Sequence, residues 1–411
     1  MQRPTFWLML LVPLVGILFL REPRVAQSEE TFLRWLLRNS DPSGPMAPLT
    51  VVEIGQDQVL DRDPSVEMTS QGAGKKGVSP LEFALFLQSI LEFKPSVVSF
   101  ENILNWRERD KDQEQVFIDQ AMRVPKLLLA AELTATPDPD APIPEIPAFT
   151  QVTGKRGDLV EFSGIGRQPG EEMRLIGTLG FVNLPGEIAD GIHVPLLFRH
   201  RGEVIPSFAF QAILLWLRVT PAEVAIELGS HISLPQGRTI PIRADGTVLI
   251  SPNAGKKARH FTLNELLLLT QQHESGKKSP ELDSMRDQII LARIPANPLS
   301  PPDVFAATLA TIQTNAYVHR ISWIFDCVIL LAITVAVLSL RHISRVDLVL
   351  CAIAFTAAYS LIALAVASRW LIWLPGILPL GAAWLLVLIA VATPDRHRGK
   401  PKATTIAPSV P

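Results

Sequence analysis

Asp57, Glu101 and Asn102 are the residues whose type and position best suit a binding site. Each follows a short apolar run that reads as a buried strand. In open α/β sheets the carboxyl ends of strands are where small ligands bind. Two carboxylates and an amide there would take a small polar ligand. The plainer reading has Glu101 capping a loop or pairing with Arg107 or Arg109. His193 and His200 flank one expected strand, but a metal would need a third ligand at matching spacing, and both read as surface histidines. Asp190-Gly191 and Asp245-Gly246 are turn chemistry first. Lys75 and Lys76 in "GAGKKG" could meet an anion. Neither that stretch nor "PNAGKK", however, has the spacing or the hydroxyl residue of a phosphate-binding loop. No Gly-x-Ser-x-Gly elbow and no His-Glu-x-x-His helix occurs. The expectation is a protein that is not an enzyme and needs neither metal nor cofactor.

The elements that must hold these residues divide by hydropathy. The 411-residue chain has a formal net charge of -2, which points to no nucleic-acid partner, and a mean hydropathy of +0.26. Four apolar stretches carry the excess: residues 5–20, 321–340, 348–368 and 370–393. The last three have roughly the 20 residues that cross a bilayer. The first is shorter, and "LREPRVAQS" behind it lacks a clean pair of small residues for cleavage, which favours an uncleaved anchor over a signal peptide. Basic residues in the short loops (Arg3, Arg341, Arg345 and the "DRHRGKPK" tail) place both termini inside and residues 21–320 outside a bacterial cytoplasmic membrane. Asp326 is a carboxylate within an expected span, a costly and commonly functional position. It lies roughly 7 Å from the entry point at helical rise, within reach of the interface or of Arg320. Both cysteines, Cys327 and Cys351, sit in spans, so residues 21–320 hold no disulfide.

In that outer region "PLTVVEI", "PSVVSFENI" and "PKLLLAAEL" read as buried strands. Between them "SPLEFALFLQSILEF" opens on Ser79, Pro80 and Glu82 as a capped helix, and "QVFIDQAM" continues the helical pattern. Strand–helix alternation predicts right-handed crossovers and a parallel sheet covered on both faces. The proline-rich residues 134–147 are an extended loop. Beyond them "IGTLGFVNL" and "GIHVPLLFRHRGEVI" look like paired strands, the latter turning at Arg201-Gly202. "PSFAFQAILLWLRV" is a buried helix, and "RTIPIRADGTVLI" is a hairpin about Asp245-Gly246. Thr262 and Glu265 stand at capping-box spacing, "RDQIILARI" is a late strand, and a helix from Val304 to Tyr317 runs straight into the second span.

The ordered set of these pieces resembles the type 2 CHASE domain, an extracytoplasmic sensor associated with bacterial cyclases and histidine kinases. The resemblance covers about residues 45–393. It rests on "KPSVVSFENILNW", on "LGFVNLPGEIADGIHVPLLFRHRGEVIPSFAFQAI" with its Gly-x-x-Asn, Asp190-Gly191 and Pro206-Ser207, and on "IPIRADGTVLISPNAG". Glu101 stands where the family usually has aspartate. "VVEIGQDQV" and "KKGVSPLEF" depart from the family's acidic and Pro/Trp/Arg patterns, "IILARI" lacks its glycine, and the arginine usual after the first Asp-Gly is absent. The family's usual order is one span, a sensor and three spans before an output domain. Here about eighteen residues follow Thr393.

The expected architecture is therefore an α/β outer domain with a mostly parallel core sheet plus β-rich hairpins, and four transmembrane helices. By residue, 1–20 are an anchor, 21–320 a sensor, 321–393 a three-helix unit and 394–411 a basic cytoplasmic tail. The expected function is sensory or regulatory, exerted through a separate protein partner, a signalling enzyme or envelope component. The alternative is a structural component of an envelope assembly. Small residues in the third span suit helix packing within one chain or in a homo-oligomer, and membrane lipid is the remaining partner.

Overall fold

The near-continuous apolar runs "LTVVE", "VVSF", "LLLAA" and "IILAR" do build one sheet. The computed structural model describes all residues except 1–2, 20–21, 42–43, 56–77, 107–110, 137–145, 185–191, 278–279, 296–302, 341–342 and 393–411. Its longer helices are α1 (Arg3–Phe19), α2 (Pro23–Asn39), α3 (Pro80–Leu91), α4 (Lys111–Ala121), α5 (Phe208–Leu217), α6 (Leu263–Glu274), α7 (Val304–Thr314), α8 (Trp323–Leu340), α9 (Arg345–Trp370) and α10 (Ile377–Ala392). The core sheet consists of β1 (Leu49–Glu53), β2 (Val97–Phe100), β3 (Leu127–Ala131), β4 (Thr178–Phe181), β5 (Arg259–Thr262) and β6 (Ile289–Arg293). All six are parallel, in the order β5-β1-β6-β2-β3-β4.

The fold is thus mixed α/β around a parallel sheet. Leu49, Val51, Val97, Leu128, Ile289 and Leu291 enter one apolar cluster, while Val52, Val98, Phe100, Leu129, Ile290 and Ala292 enter another. Burial of both faces explains why these strands are apolar throughout instead of alternating with polar residues. The second cluster is built on edge-to-face rings. Phe100 lies 5.6 Å from both Phe83 of α3 and Phe117 of α4, a spacing that favours aromatic pairs. The first holds α5 and α7, with Phe208 and Phe305 5.2 Å apart.

Helix starts follow their caps. Ser79 Oγ accepts from the Leu81 N–H at 3.2 Å with Pro80 in the first turn. Thr262 and Glu265 form the full reciprocal box, at 3.2 and 2.8 Å. The Arg201-Gly202 hairpin also forms, with both residues at positive φ and Arg199 opposite Val204.

Several expectations change. Among the described residues "IGTLGFVNL" forms no hairpin; as β4 it closes the edge of the parallel sheet beside β3. Asp245-Gly246 does make a tight turn, but its flanks diverge. Thr239–Pro241 pairs with His231–Ser233, and Thr247–Leu249 pairs with His193–Pro195. The helix α7 stops at Thr314, where Asn315 adopts the left-handed conformation, so it does not run into α8. The apolar run from Trp370 to Thr393 is not one kinked helix either. A strand, Ile372–Trp373, and the irregular residues 374–376 precede α10.

The chain divides into two units by its contacts: Met1–Asn39 with His319–Ala367 and Ile372–Pro411, and Ser40–Val318 with Ser368–Leu371. The sheet lies wholly in the second. The helix α2 groups by contacts with the first unit, and the sheet-bearing unit begins at Ser40. Among the described helices, α8 and α9 (18 and 26 residues) are long and apolar enough to span a membrane; α1 and α10 have 17 and 16.

Gly180 in β4 leaves no room for a side chain, since a Cβ there would lie 2.9 Å from Phe208 Cδ2 and 3.0 Å from Phe208 Cα. Gly180→Ala should cost about 1–3 kcal/mol, read as a lowered thermal midpoint of the full chain in detergent. Gly157→Ala, with open space around it, should leave the midpoint unchanged.

Candidate functional site

The carboxyl edge of the sheet collects the ends of β1, β6 and β2. Glu53 ends β1, Arg293 ends β6, and Glu101 and Asn102 follow β2. Arg293 Nη2 donates to Glu53 Oε1 at 2.6 Å, and Nη1 bonds the Asp303 carboxylate just before α7. Only 12% of the Arg293 side chain is exposed. Burial works against its charge, but the bonds and charges of Glu53 and Asp303 outweigh that and raise its pKa. Asn102 Oδ1 accepts from the Ile294 N–H at 2.7 Å, locking β2 to the end of β6. Glu101 is buried, its N–H donates to Ala292 O, and it has further partners.

Farther along the edge, Asn183 of the Gly-x-x-Asn segment bonds Leu133 both ways, at 2.7 and 2.9 Å. Arg167 Nε donates to Glu132 Oε2 at 2.7 Å, the bond that chiefly raises the Arg167 pKa. Both asparagines thus act as backbone clamps, and both arginines neutralise carboxylates. Among the described residues the polar groups of this edge are mostly paired with one another, though the buried Arg293 Nε has no hydrogen-bond partner.

Glu101 and Asn102 stand at the expected strand end. Asp57, Lys75, Lys76, Arg107, Arg109, Asp190 and Gly191 lie outside the described residues. Asp245 is structural, its Oδ1 accepting from the Thr247 N–H at 3.1 Å and hydroxyl at 2.7 Å. Gly246 has φ +75° and meets Leu159 where a Cβ would stand, which accounts for the Asp-Gly pair. His193 and His200 are buried, not on the surface, and lie on separate strands. His193 Nε2 pairs with Arg243 Nη1 at 2.7 Å. Among the described residues no three metal-ligating side chains converge. An open depression of about 430 Å³ lies elsewhere, over Gln151, Thr153, Glu227, His231 and Ser233.

In the first unit, Asp326 is fully buried and pairs with Arg320 at 3.4 Å, the partner that was one of the two alternatives for it. Sequence reasoning missed Glu29. It is buried on α2 and accepts from the N–H groups of Gly376 and Leu378, each at 2.8 Å. The available signal was the apolar spacing of Phe32, Leu33, Leu36 and Leu37 against charged neighbours. Arg293 was missed as well.

No family model, curated protein or solved structure matches the chain.

Arg293→Gln would strand two carboxylates and should cost about 2–3 kcal/mol, toward the low side for a broken buried pair because Asp303 is partly exposed; chemical denaturation of the full chain checks this. His200 contributes to the pH dependence. Burial first, then the Arg201 charge, lowers its pKa from 6.5, with Glu203 opposing. A lowered histidine is full-strength above the unfolded value and loses stability as pH falls through the folded one. Thermal midpoints of His200→Gln should therefore fall less steeply than wild type as pH drops below 6.5.

Proposed function

We propose that the chain is a membrane-anchored sensory or regulatory protein of the type 2 CHASE kind. In this reading α1, α8, α9 and the apolar segment containing α10 cross a bacterial cytoplasmic membrane. The unit around the sheet lies outside, and the loop between α8 and α9 lies inside. That outer unit responds to a small ligand or an envelope state, and the response reaches a separate signalling protein through the spans.

The Glu53–Arg293–Asp303 bridge supports this reading most. It ties the edge where α/β sheets receive ligands to the start of α7. The far end of α7 leads through residues 315–318 to the first unit. A ligand that draws Glu53 or Arg293 away would change the packing of α7, a population shift of the kind sensors use. The alternative, a structural role in an envelope assembly, draws on the edge's internal pairing, in which Asn102, Asn183, Arg167 and Glu101 each already have a partner.

Gentle purification of the full chain from native membranes, with mass spectrometry of what accompanies it, separates the two. The sensory reading predicts a kinase, cyclase or other signalling enzyme at stoichiometric yield. Recovery of envelope-assembly proteins alone would refute it in favour of the structural one.

A further inference from the structure

The chain crosses between its two units at Asn39–Ser40, Val318–His319, Ala367–Ser368 and Leu371–Ile372. Inside the first unit, the elements adjoining these crossings all hold one seven-residue stretch, residues 372–378, which ends in the first turn of α10. From α2, Glu29 Oε2 and Oε1 accept the N–H groups of Gly376 and Leu378. These are among the helix-start donors that have no acceptor within their own helix, and a carboxylate there also suits the helix dipole. Phe32, also on α2, packs so closely on Gly376 that a Cβ there would stand 2.2 Å from its ring. From α9, the Tyr359 hydroxyl donates to Pro375 O.

The stretch after Val318 holds it too. His319 and Arg320 pair in parallel with Ile372 and Trp373, and the Ile321 N–H donates to Trp373 O at 3.2 Å. The Arg320 guanidinium lies 5.0 Å from the Trp373 ring and also reaches Asp326 of α8. One short segment is thus gripped by α2, by α9 and by the strand that follows the outer unit, and it begins α10.

Resting on the sensory reading above, we infer that residues 372–378 are the receiving clamp through which a change in the outer unit is passed to α10. The continuous helix expected from α7 into α8 is absent, so a rigid push along one axis is not available. The clamp works by tension instead. The pull arrives through α2 and the His319–Arg320 strand, and it acts on hydrogen bonds that weaken steeply with misalignment. Loss of the Glu29 bonds leaves the α10 start uncapped, which frays its first turn.

Amide hydrogen exchange of the full chain in lipid nanodiscs tests this, resolved to residues 372–378. Glu29→Gln keeps the shape and removes the charge, and should raise exchange at Gly376 and Leu378 by about tenfold. Arg293→Gln, in the outer unit, should raise exchange in α7 and also, by about threefold or more, in residues 372–378, with α9 unchanged. Asp303→Asn serves if Arg293→Gln does not fold. Wild-type rates at Gly376 and Leu378 in Glu29→Gln would overturn the clamp. Acceleration confined to α7 in the outer-unit variant would overturn its receiving role. Neither outcome depends on which proteins co-purify, so the clamp and the sensory reading fail separately.

Discussion

Strand β6 is the constraint on which the sheet-bearing unit depends. It lies between β1 and β2, yet the chain reaches it only after every other core strand has been made. Ser99 Oγ of β2 bonds Ile290 O across 191 residues of sequence. Closing so long a loop costs little more than closing a shorter one, because the entropy grows only with the logarithm of length. Register is the harder problem, since a slip of one residue would turn every side chain to the opposite face. Polar locks at both ends prevent it: Thr50 to Gln288 at the start, and Arg293 to Glu53 with Asn102 to Ile294 at the finish. The same residues that make the carboxyl edge look like a site are therefore also what holds the sheet together.

Much of the fold was legible because local chemistry and tertiary placement agree. Ser79-Pro80 and Thr262/Glu265 start helices wherever they occur in such a pattern. Buried strands flanking them give apolar runs that only a two-sided sheet can use. The misreadings share one cause, that pairing partners are chosen by packing. The β4 run looks like any hairpin strand, and nothing in "IGTLGFVNL" reports that β3 is its neighbour. Asp245-Gly246 fixes a turn but not where its two arms go. The start of α10 was blurred by hydropathy, which averages over the irregular residues 374–376.

The candidate site was partly legible for a similar reason. Glu101 and Asn102 could be assigned to a strand end from sequence, because strand ends are local. Arg293 could not, since Glu53 comes from β1, 240 residues away, and Asp303, though only ten residues on, is marked by no motif. Glu29 stands in a charged helix of ordinary appearance, and only its burial against the amides of Gly376 and Leu378 distinguishes it. In both cases the function of a charge is set by what it neutralises.

The account as a whole turns on whether the membrane lies between the sheet-bearing unit and the loop joining α8 to α9. Cysteines introduced at Lys155, exposed in the sheet-bearing unit, and at Ile343, exposed between α8 and α9, can be probed in intact cells with a membrane-impermeant maleimide. The proposed arrangement predicts that Lys155→Cys is labelled in intact cells and Ile343→Cys only after lysis. Equal labelling of both before lysis, or labelling of Ile343→Cys alone, would contradict it.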